Sequence, residues 1–373
     1  MKVKMNRRDL LAGIQRVQGV VEKRNTMPIL THILVEAEGD RCAFFATDLE
    51  AGIQGSYPAE VIQPGRITVS ARKLSEIVRE FQEAPVSIQS QPNHWVVIES
   101  GKSHFRIVGL PPEEFPALPP MDGEKWIEID PALFAGLIRR TLFAAGENAP
   151  QYILNGLLIQ VEKIAEGAGV IRFIATDGHR LAIAEGCVSG RGLENQEGVI
   201  IPKKAILEMK RALDEGESTE VPKLSIGANQ LVFRRGTVVI TSRLMEGDFP
   251  DYKQAIPKGN EQRVPMQKEA LEGGLRRVSI LAREKTSAIK FHLEKGRVLL
   301  SASNPEMGEA NEEINTSFSG EGFATGFNAR YLLDALAALK GDEAVLEFKD
   351  ALSPCLIKEK AEGFLAVIMP MRV

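Results

Sequence analysis

The chain has 373 residues, of which 44% are hydrophobic and 26% are charged, and its formal net charge is −4. This length predicts two or three domains, and no apolar run is long enough to form a bilayer-spanning helix. A negative net charge argues weakly against a nucleic-acid partner, so any basic surface must come from local charge patterning.

The cysteines and the first residues of the chain favour neither a metal site nor export. Cys42, Cys187 and Cys355 lie far apart and match no zinc-ligand spacing, so we expect three buried thiols in a reducing cytoplasm. The opening MNRRDLLAG resembles a twin-arginine export signal, but polar residues between Gln15 and Gln18 interrupt the apolar region that such a signal needs. We therefore expect a cytoplasmic protein.

Three segments along the chain share a Leu, a Gly three residues later and then an Arg: LLAGIQR, LFAGLIR and LEGGLRR. Each is typical of an amphipathic helix, and we predict helices over 6–17, 130–141 and 267–278. A second helix follows in each repeat, starting near Ser70, Pro202 or Asn328, which favour helix starts. These second helices, aligned on Glu76, Glu208 and Asp334, are predicted over 70–81, 202–213 and 328–340.

A strand, turn, strand pattern lies between the two helices of each repeat, and its turn residues are Asp48, Asp177 and Asn304. These residues are 129 and 127 positions apart, so one unit is present three times. Pro-rich connectors mark the boundaries. The sequence therefore predicts an α+β fold of three repeated domains, each with two helices packed on antiparallel sheets, over 1–124, 125–253 and 254–373.

Positive charge is concentrated in the six predicted helices, which carry a net +9 and leave −13 for the rest of the chain. The simpler explanation is that Lys and Arg are good helix formers on solvated faces. Repetition favours a second one, because three adjoining units would align their helices into a basic stripe that binds phosphates. Aromatic residues are only 6% of the chain, so base stacking is not expected, and contact with the backbone of duplex DNA remains.

The segment ATDGHR in the second repeat is the one candidate for chemistry. Asp177 and Gly178 predict a two-residue hairpin turn of type I′, with His179 and Arg180 as exposed polar groups just past it. The first repeat has Glu50 where His179 stands, and the third also has a Glu, so the turn acid is predicted to be scaffold. His179 and Arg180 can be ordinary residues after a turn, a partner site or an acid–base pair.

The sequence contains no phosphate-binding loop, no HExxH pattern and no G-x-S-x-G pattern. We therefore predict no catalytic residue, no metal and no cofactor. Two alternatives to a DNA-bound protein stay open. One is an enzyme of phosphoester chemistry that uses Asp177 and His179, and the other is a monomeric three-domain adaptor that does not bind DNA.

The stretches ATDGHRLA, GDFPDY, FNARYLLDAL and the final MPMRV together resemble the bacterial DNA sliding clamps, the beta subunits of the replicative DNA polymerase (DNA polymerase III). The resemblance runs from Met1 to Val373. It implies a non-catalytic processivity factor in which two chains of three domains join head to tail. Helices would line the hole of the closed ring, and sheets would form its outer wall.

The resemblance also implies site residues and partners. The groove for short peptide motifs would be formed by Leu154, Thr176, Gly178, His179, Arg180, Leu181, Pro250, Tyr331, Val367, Met369, Pro370, Met371 and Arg372. DNA would be contacted by Arg24, Arg72, Tyr152, Lys203 and Lys204. The dimer interface would contain Lys73, Lys102, Phe105, Ile107, Ile280, Leu281, Glu306, Glu309 and Glu312. Expected partners are duplex DNA without sequence preference, a second copy of the chain, the polymerase catalytic subunit, the clamp loader, repair polymerases and mismatch-repair proteins, in a cytoplasmic, nucleoid-associated setting without a membrane.

Overall fold

The computed structural model describes residues 1–21, 27–117, 125–147, 149–190, 193–214, 219–283, 286–359 and 363–372. Within these ranges the helices are α1 (Arg7–Val17), α2 (Ala71–Glu80), α3 (Pro131–Thr141), α4 (Lys203–Asp214), α5 (Lys268–Ser279) and α6 (Ala329–Ala337). The strands are β1 (Lys2–Asn6), β2 (His32–Glu38), β3 (Arg41–Thr47), β4 (Ala51–Pro58), β5 (Glu60–Gln63), β6 (Gly65–Ser70), β7 (Pro85–Ser90), β8 (Trp95–Ser100), β9 (Ser103–Val108), β10 (Ile127–Glu128), β11 (Gly156–Ala165), β12 (Ala168–Thr176), β13 (Arg180–Ser189), β14 (Gln196–Pro202), β15 (Lys223–Ile226), β16 (Gln230–Arg235), β17 (Val238–Arg243), β18 (Gln262–Gln267), β19 (Ala288–Glu294), β20 (Arg297–Asn304), β21 (Gly308–Asn315), β22 (Phe323–Asn328), β23 (Glu343–Phe348), β24 (Cys355–Lys358) and β25 (Phe364–Ile368).

All six predicted helices are present, and two of them begin as their sequences predict. The Ser70 hydroxyl accepts a hydrogen bond from the Lys73 backbone N–H at the start of α2. The Asn328 side chain accepts hydrogen bonds from the Arg330 and Tyr331 N–H groups in the first turn of α6. These caps pair backbone donors that have no partner inside a helix, so they fix where each helix starts.

The chain divides into two compact units, of which the first comprises Met1–Pro131, Ser189–Leu193 and Lys204–Leu244. Its strands form one antiparallel sheet in the order β5-β1-β7-β8-β9 and a second series in the order β10-β15-β16-β17-β4-β3-β2-β6. Helices α1 and α2 pack against each other, and α1 also lies against β3 and β4. This packing buries Leu10, Ile14 and Phe44 completely.

The second unit comprises Ala132–Val188, Glu194–Lys203 and Met245–Val373. Its strands form the series β18-β23-β24-β25-β13-β12-β11-β14 and a four-stranded sheet in the order β21-β20-β19-β22. Helices α5 and α6 pack against each other, α5 lies against β20 and β21, and α6 lies against β22 and β25. Leu271, Leu275 and Leu332 are completely buried in this unit.

The Gly of the repeated helix pattern has a different role in each repeat. A Cβ atom on Gly13 would lie 2.5 Å from ring atoms of Phe44, so α1 packs on β3 closely enough to require Gly. A Cβ on Gly274 would lie 3.0 Å from Ile314, whereas one on Gly136 would meet nothing within 4 Å. The shared Gly is therefore a packing requirement in the first repeat and not in the second.

The cysteine prediction is partly wrong. Cys42 and Cys355 are buried thiols, as expected, but Cys187 on β13 is exposed. Burial raises the pKa of Cys42 to about 12 and raises that of Cys355 well above its ordinary value. Among the described helices, none has both the length and the apolarity that a bilayer crossing requires.

Candidate binding surfaces

The connection between β12 and β13 is a three-residue loop closed by a side chain. The Asp177 Oδ1 atom accepts hydrogen bonds from the backbone N–H groups of His179 and Arg180, both at 3.0 Å. The Thr176 hydroxyl donates to the Arg180 carbonyl at 2.7 Å, and Gly178 has a φ of +87°. The predicted two-residue type I′ turn is wrong, because such a turn needs a positive φ at both central residues, and Asp177 does not have one.

The first repeat builds its turn in the same way. The Asp48 Oδ1 atom accepts from the N–H groups of Glu50 and Ala51 at 3.0 and 2.7 Å, and the Thr47 hydroxyl donates to the Ala51 carbonyl at 2.8 Å. In the third repeat, Asn304 is the last residue of β20, and its side chain still accepts from a backbone N–H two residues on, at 3.0 Å. The structure thus confirms that the turn acid is scaffold.

Arg180 is not the exposed polar group that the sequence predicts. Its side chain is only 11% exposed, and Nε donates to Asp177 Oδ2 at 3.0 Å. Its Nη1 donates to Asp334 Oδ2 at 2.6 Å, and the guanidinium lies 4.3 Å from the centre of the Tyr331 ring. His179 is exposed, as predicted. Because both Asp177 oxygens are occupied by the turn and by Arg180, Asp177 is not available as a base for His179.

Beside this turn lies an apolar cluster that contains two of the predicted groove residues. Leu181 on β13 faces Val367 on β25. The two side chains are 2% and 1% exposed, and both belong to a buried cluster. The other buried members are Leu158, Ile174, Ile200, Met245, Tyr252 and Leu356, and the half-buried side chains packed on them are Ile153, Ile183, Phe249, Ile256 and Leu365.

The end of the chain leaves the sheet next to the turn. Strand β25 ends at Ile368, and the next N–H, that of Met369, donates to the His179 carbonyl at 2.9 Å. The Met371 N–H donates to the Gly326 carbonyl at 2.8 Å. Of the predicted groove residues, Thr176, Tyr331, Pro370 and Met371 are half-buried, Leu154 is buried, and the exposed ones are Gly178, His179, Pro250, Met369 and Arg372. The structure therefore brings the turn, Tyr331 and the chain end together at the rim of the apolar cluster.

The candidate DNA contacts differ in how much free charge they offer. Arg24 lies outside the described residues, and Tyr152 is 59% exposed. Arg72 is 80% exposed, although its Nε contacts Glu76 at 2.7 Å. The hydrogen bonds from Lys73 and Arg72 lower the pKa of Glu76 to about 2.

The two lysines at the start of α4 both have partners within the chain. Lys203 Nζ lies 3.0 Å from Glu147 Oε1 and 3.2 Å from the Ala145 carbonyl. Lys204 Nζ donates to Asp48 and, at 3.2 Å, to the Val20 carbonyl. These contacts leave less free positive charge on α4 than the sequence count suggests.

Two arginines of the predicted basic helices are not on any surface. Arg16 on α1 and Arg140 on α3 are 5% and 7% exposed. The net +9 of the six helices is therefore larger than the charge that they present to solvent. This corrects the basic stripe predicted from the sequence.

Most of the expected dimer residues lie on or next to two exposed sheet edges. Strand β9 is the last strand of its sheet, and Phe105 and Val108 on it are 38% and 59% exposed. Lys102 is exposed just before this strand, and Ile107 is half-buried. Such an edge, with unpaired backbone groups and exposed apolar side chains, is suited to pairing with another strand.

The second edge is acidic. Strand β21 is the last strand of its sheet. Glu309 is exposed on this strand, and Glu306 is exposed just before it. Glu312 is bonded within the chain to Arg277 at 2.6 and 3.1 Å, and Lys73 likewise lies 2.8 Å from Glu76. Of the two apolar residues that follow α5, Ile280 is 71% exposed and Leu281 is half-buried.

Three family models together match almost the whole chain. They describe the N-terminal, central and C-terminal domains of the DNA polymerase III beta subunit and match residues 1–119, 128–251 and 253–372. The chain belongs to this family. It is therefore a sliding clamp, a non-catalytic processivity subunit with three repeated clamp domains of the α+β class, and the phosphoester-enzyme alternative is wrong.

Individual relatives give the same result over full length. The beta sliding clamps of Caulobacter vibrioides and Pseudomonas putida are 38% and 33% identical to the chain, with all of each chain covered. A crystal structure of the Caulobacter crescentus clamp has a TM-score of 0.92 at 37% identity, again over the whole of both chains. A Pseudomonas aeruginosa clamp bound to griselimycin has a TM-score of 0.91 at 33% identity over the whole of both chains.

Proposed function

We propose that two copies of this chain close head to tail into a ring around duplex DNA and hold the replicative polymerase through the groove beside the Asp177 turn. The main observation in support of the ring is a strand pairing that occurs twice within the chain with the same register. In each case, the strand after the turn of one repeat pairs with the last strand of the next repeat.

The two pairings share their register. In the first, Ala51, the first residue of β4, lies opposite Ser242 of β17. In the second, Arg180, the first residue of β13, lies opposite Ile368 of β25. Ala51 and Arg180 are both the third residue after their turn acid. One geometry therefore joins the first repeat to the second and the second to the third.

A third pairing of this kind requires another chain. The strand after the turn of the third repeat is β21, and the last strand of the first repeat is β9, and both are sheet edges. The third residue after Asn304 is Met307, which the same register would place opposite Val108 of the partner subunit. Gly308 would then lie opposite Ile107 of the partner subunit, and Ala310 opposite Phe105 of the partner subunit. Pairing at both ends removes the free edges and closes a twofold ring of six repeats.

Charge and apolar surface support the same pairing. Lys73, Lys102 and Arg106 come from the first repeat, and the acidic edge of β21 comes from the third, so opposite charges would meet around an apolar centre. Phe105, Ile107, Ile280 and Leu281 would form that centre. We assign Glu306 and Glu309 the larger part of the acidic side, because Glu312 is already bonded to Arg277.

A closed ring needs only weak contacts with DNA, because release requires opening of an interface and not only the breaking of ion pairs. We propose Arg24, Arg72, Tyr152, Lys203 and Lys204 for these contacts. Cations with partners in the chain, such as Lys203, would exchange between those partners and phosphates, which suits sliding without sequence preference.

The groove would bind extended peptides of several partners. A crystal structure of the C. crescentus clamp holds polyethylene glycol at the region thought to tether beta motifs, and clamps from P. aeruginosa and Bartonella birtlesii are bound to griselimycin. The apolar cluster around Leu181 and Val367 would accept aliphatic or aromatic side chains, and the flexible Met369 and Met371 would adapt to different sequences. We propose the polymerase catalytic subunit, the clamp loader, repair polymerases and mismatch-repair proteins as partners.

We also propose where the three domains begin and end and where in the cell the protein acts. We propose clamp domains over 1–124, 125–253 and 254–373, supported by family matches that leave short gaps near the same positions. A clamp that acts on chromosomal DNA would be cytoplasmic and associated with the nucleoid.

Sedimentation equilibrium at micromolar concentration tests the pairing of β9 with β21. The wild-type chain should have twice the monomer mass of 40.9 kDa. Phe105→Asp should sediment as a monomer, because it places a carboxylate opposite the acidic β21 edge. The matched control is Ile62→Asp on β5, the opposite edge of the same sheet, where Ile62 is 53% exposed. A monomeric wild type, or equal effects of both substitutions, would contradict the proposed interface.

A further inference from the structure

The Arg180 side chain is held by two carboxylates that come from distant parts of the sequence. Asp177 belongs to the same turn, whereas Asp334 belongs to α6, 154 residues further along the chain. The guanidinium lies near two rings, 4.3 Å from the centre of Tyr331 and 5.4 Å from that of Phe143. The two carboxylates bond the edge of the planar guanidinium, and the Tyr331 ring lies beside it. Together these contacts hold the Arg180 side chain in one orientation.

The first repeat shows that this arrangement is a variation on a shared contact. There, the turn acid Asp48 is bonded by Lys204, which comes from the second helix of the next repeat. The equivalent of Lys204 on α6 is Arg330, which is exposed, while Asp177 is bonded by Arg180 from its own repeat. The cation now comes from the turn and the carboxylate from the helix, so the polarity of the contact is reversed.

The reversal keeps the turn attached to α6 while adding a guanidinium to the groove rim. Asp334 occupies the alignment position of Glu208, whose carboxylate is bonded instead to Arg211 on its own helix at 2.9 and 3.0 Å. The helix acid is thus redirected to the turn only in the third repeat. Asp334 is 33% exposed, compared with 4% for Glu208, so its carboxylate is partly accessible to solvent.

We propose that Asp334 is a positioning residue for partner binding, which it supports by fixing the Arg180 guanidinium flat against Tyr331. The two carboxylates engage Nε and Nη1, which leaves Nη2 as the nitrogen that neither of them occupies. Two carboxylates around one guanidinium leave this site with no excess positive charge. The ligand group that fits Nη2 is therefore a neutral backbone carbonyl of an extended peptide, and an acidic side chain would be disfavoured.

This assignment rests on the proposed groove, and a double-mutant cycle tests it separately from the groove itself. The probe is griselimycin, and its affinity is measured by isothermal titration calorimetry for the full-length chain. The variants are Asp334→Asn, Asp334→Glu, Arg180→Ala and the double variant Arg180→Ala with Asp334→Asn. Asp214→Asn is the matched control, because Asp214 also forms an ion pair on a helix, with Lys210 at 2.7 Å.

Asp334→Asn should weaken binding about tenfold, in line with the loss of one charge-assisted hydrogen bond. Asp334→Glu should restore most of the affinity, and Asp214→Asn should leave it unchanged. In the Arg180→Ala background, Asp334→Asn should have no further effect, because its action passes through Arg180. The thermal midpoint of Asp334→Asn should stay within a degree or two of the wild type.

Three results would overturn the assignment. The first is wild-type affinity in Asp334→Asn, and the second is an equal loss with and without Arg180. The third is a loss of affinity that follows a fall in thermal midpoint, which would indicate a purely structural role. If the wild-type chain itself does not bind griselimycin, both the proposed groove and this assignment are rejected. The titration of the wild-type chain, which is done first, distinguishes this outcome from the other three.

Discussion

Arg140 shows why a basic residue in a predicted helix is not evidence of a basic surface. Its Nε donates to the Ala338 carbonyl at 3.2 Å, it pairs with Glu359, and its guanidinium lies 4.8 Å from the centre of the Phe364 ring. Burial lowers the pKa of this guanidinium, although Arg remains protonated at neutral pH. Sequence periodicity places such a residue on a helix, but only tertiary packing decides whether it faces solvent or a buried partner.

His179 is the residue whose substitution tests the groove most simply. We expect His179→Ala to weaken binding of the polymerase catalytic subunit at least tenfold, because the exposed imidazole lies at the rim of the apolar cluster. The fold should not change, since the contact between the turn and Met369 uses the His179 backbone carbonyl. Surface plasmon resonance with immobilised catalytic subunit measures the effect.

Glu50→Ala is the control for His179→Ala. Glu50 has the same place in the equivalent turn of the first repeat and is also exposed. Binding of the catalytic subunit should be unchanged in this variant. Equal losses in both variants would contradict the role of His179, because Glu50 belongs to the turn of the first repeat and not to the groove.

The site residues that could be predicted are those that lie close together in the sequence or within a stretch that resembles the sliding clamps. The turn residues from Thr176 to Leu181 form one motif, and the resemblance to sliding clamps identifies Tyr331 and the chain end with them. Asp334 lies in the stretch FNARYLLDAL and Phe143 in no quoted motif, but neither was predicted as a site residue, because their role depends on contacts with Arg180 made across the fold. The repeat alignment and this stretch indicated a helix position for Asp334 and not its contact with Arg180.

At the scale of elements, the helices were predictable because each pattern occurs three times and each has a recognisable start. The turn after β12 was predicted wrongly because Gly at positive φ suits several loop lengths. What selects the three-residue loop is the Asp177 carboxylate, which accepts two backbone N–H groups. The same bonding at Asp48 shows that comparison between repeats identifies such a turn better than Gly does.

The repeated helix glycines give an internal pair of tests. Gly13→Ala should destabilise the protein by about 1–3 kcal/mol, because the added Cβ would lie 2.5 Å from the Phe44 ring. Gly136→Ala should stabilise it by about 0.5–1 kcal/mol, because nothing lies within 4 Å and Ala favours the helix. Chemical denaturation of both variants measures the two free energies of unfolding. Equal effects would show that the close packing of α1 on β3 is not what selects Gly13.

At the scale of the whole molecule, the sequence predicts the number of repeats but not how one repeat joins the next. Pairing of β4 with β17 joins residues nearly 190 positions apart, and no local pattern encodes it. Long-range strand pairing of this kind depends on complementary edges that form only when both repeats have folded. The structure shows the register in which β4 pairs with β17. Because the same register recurs between β13 and β25, we expect it once more between two copies of the chain.

The most direct test of encirclement is to load the wild-type clamp onto a closed circular plasmid with its clamp loader and ATP, and then to cut the plasmid once. Gel filtration before and after the cut measures the clamp that stays with the DNA. We predict that the clamp elutes with the circular DNA at physiological salt and is released after linearisation, because a ring slides off a free end. Equal retention on circular and linear DNA would contradict the proposal, since it would mean that the clamp is held by direct binding and not by topology.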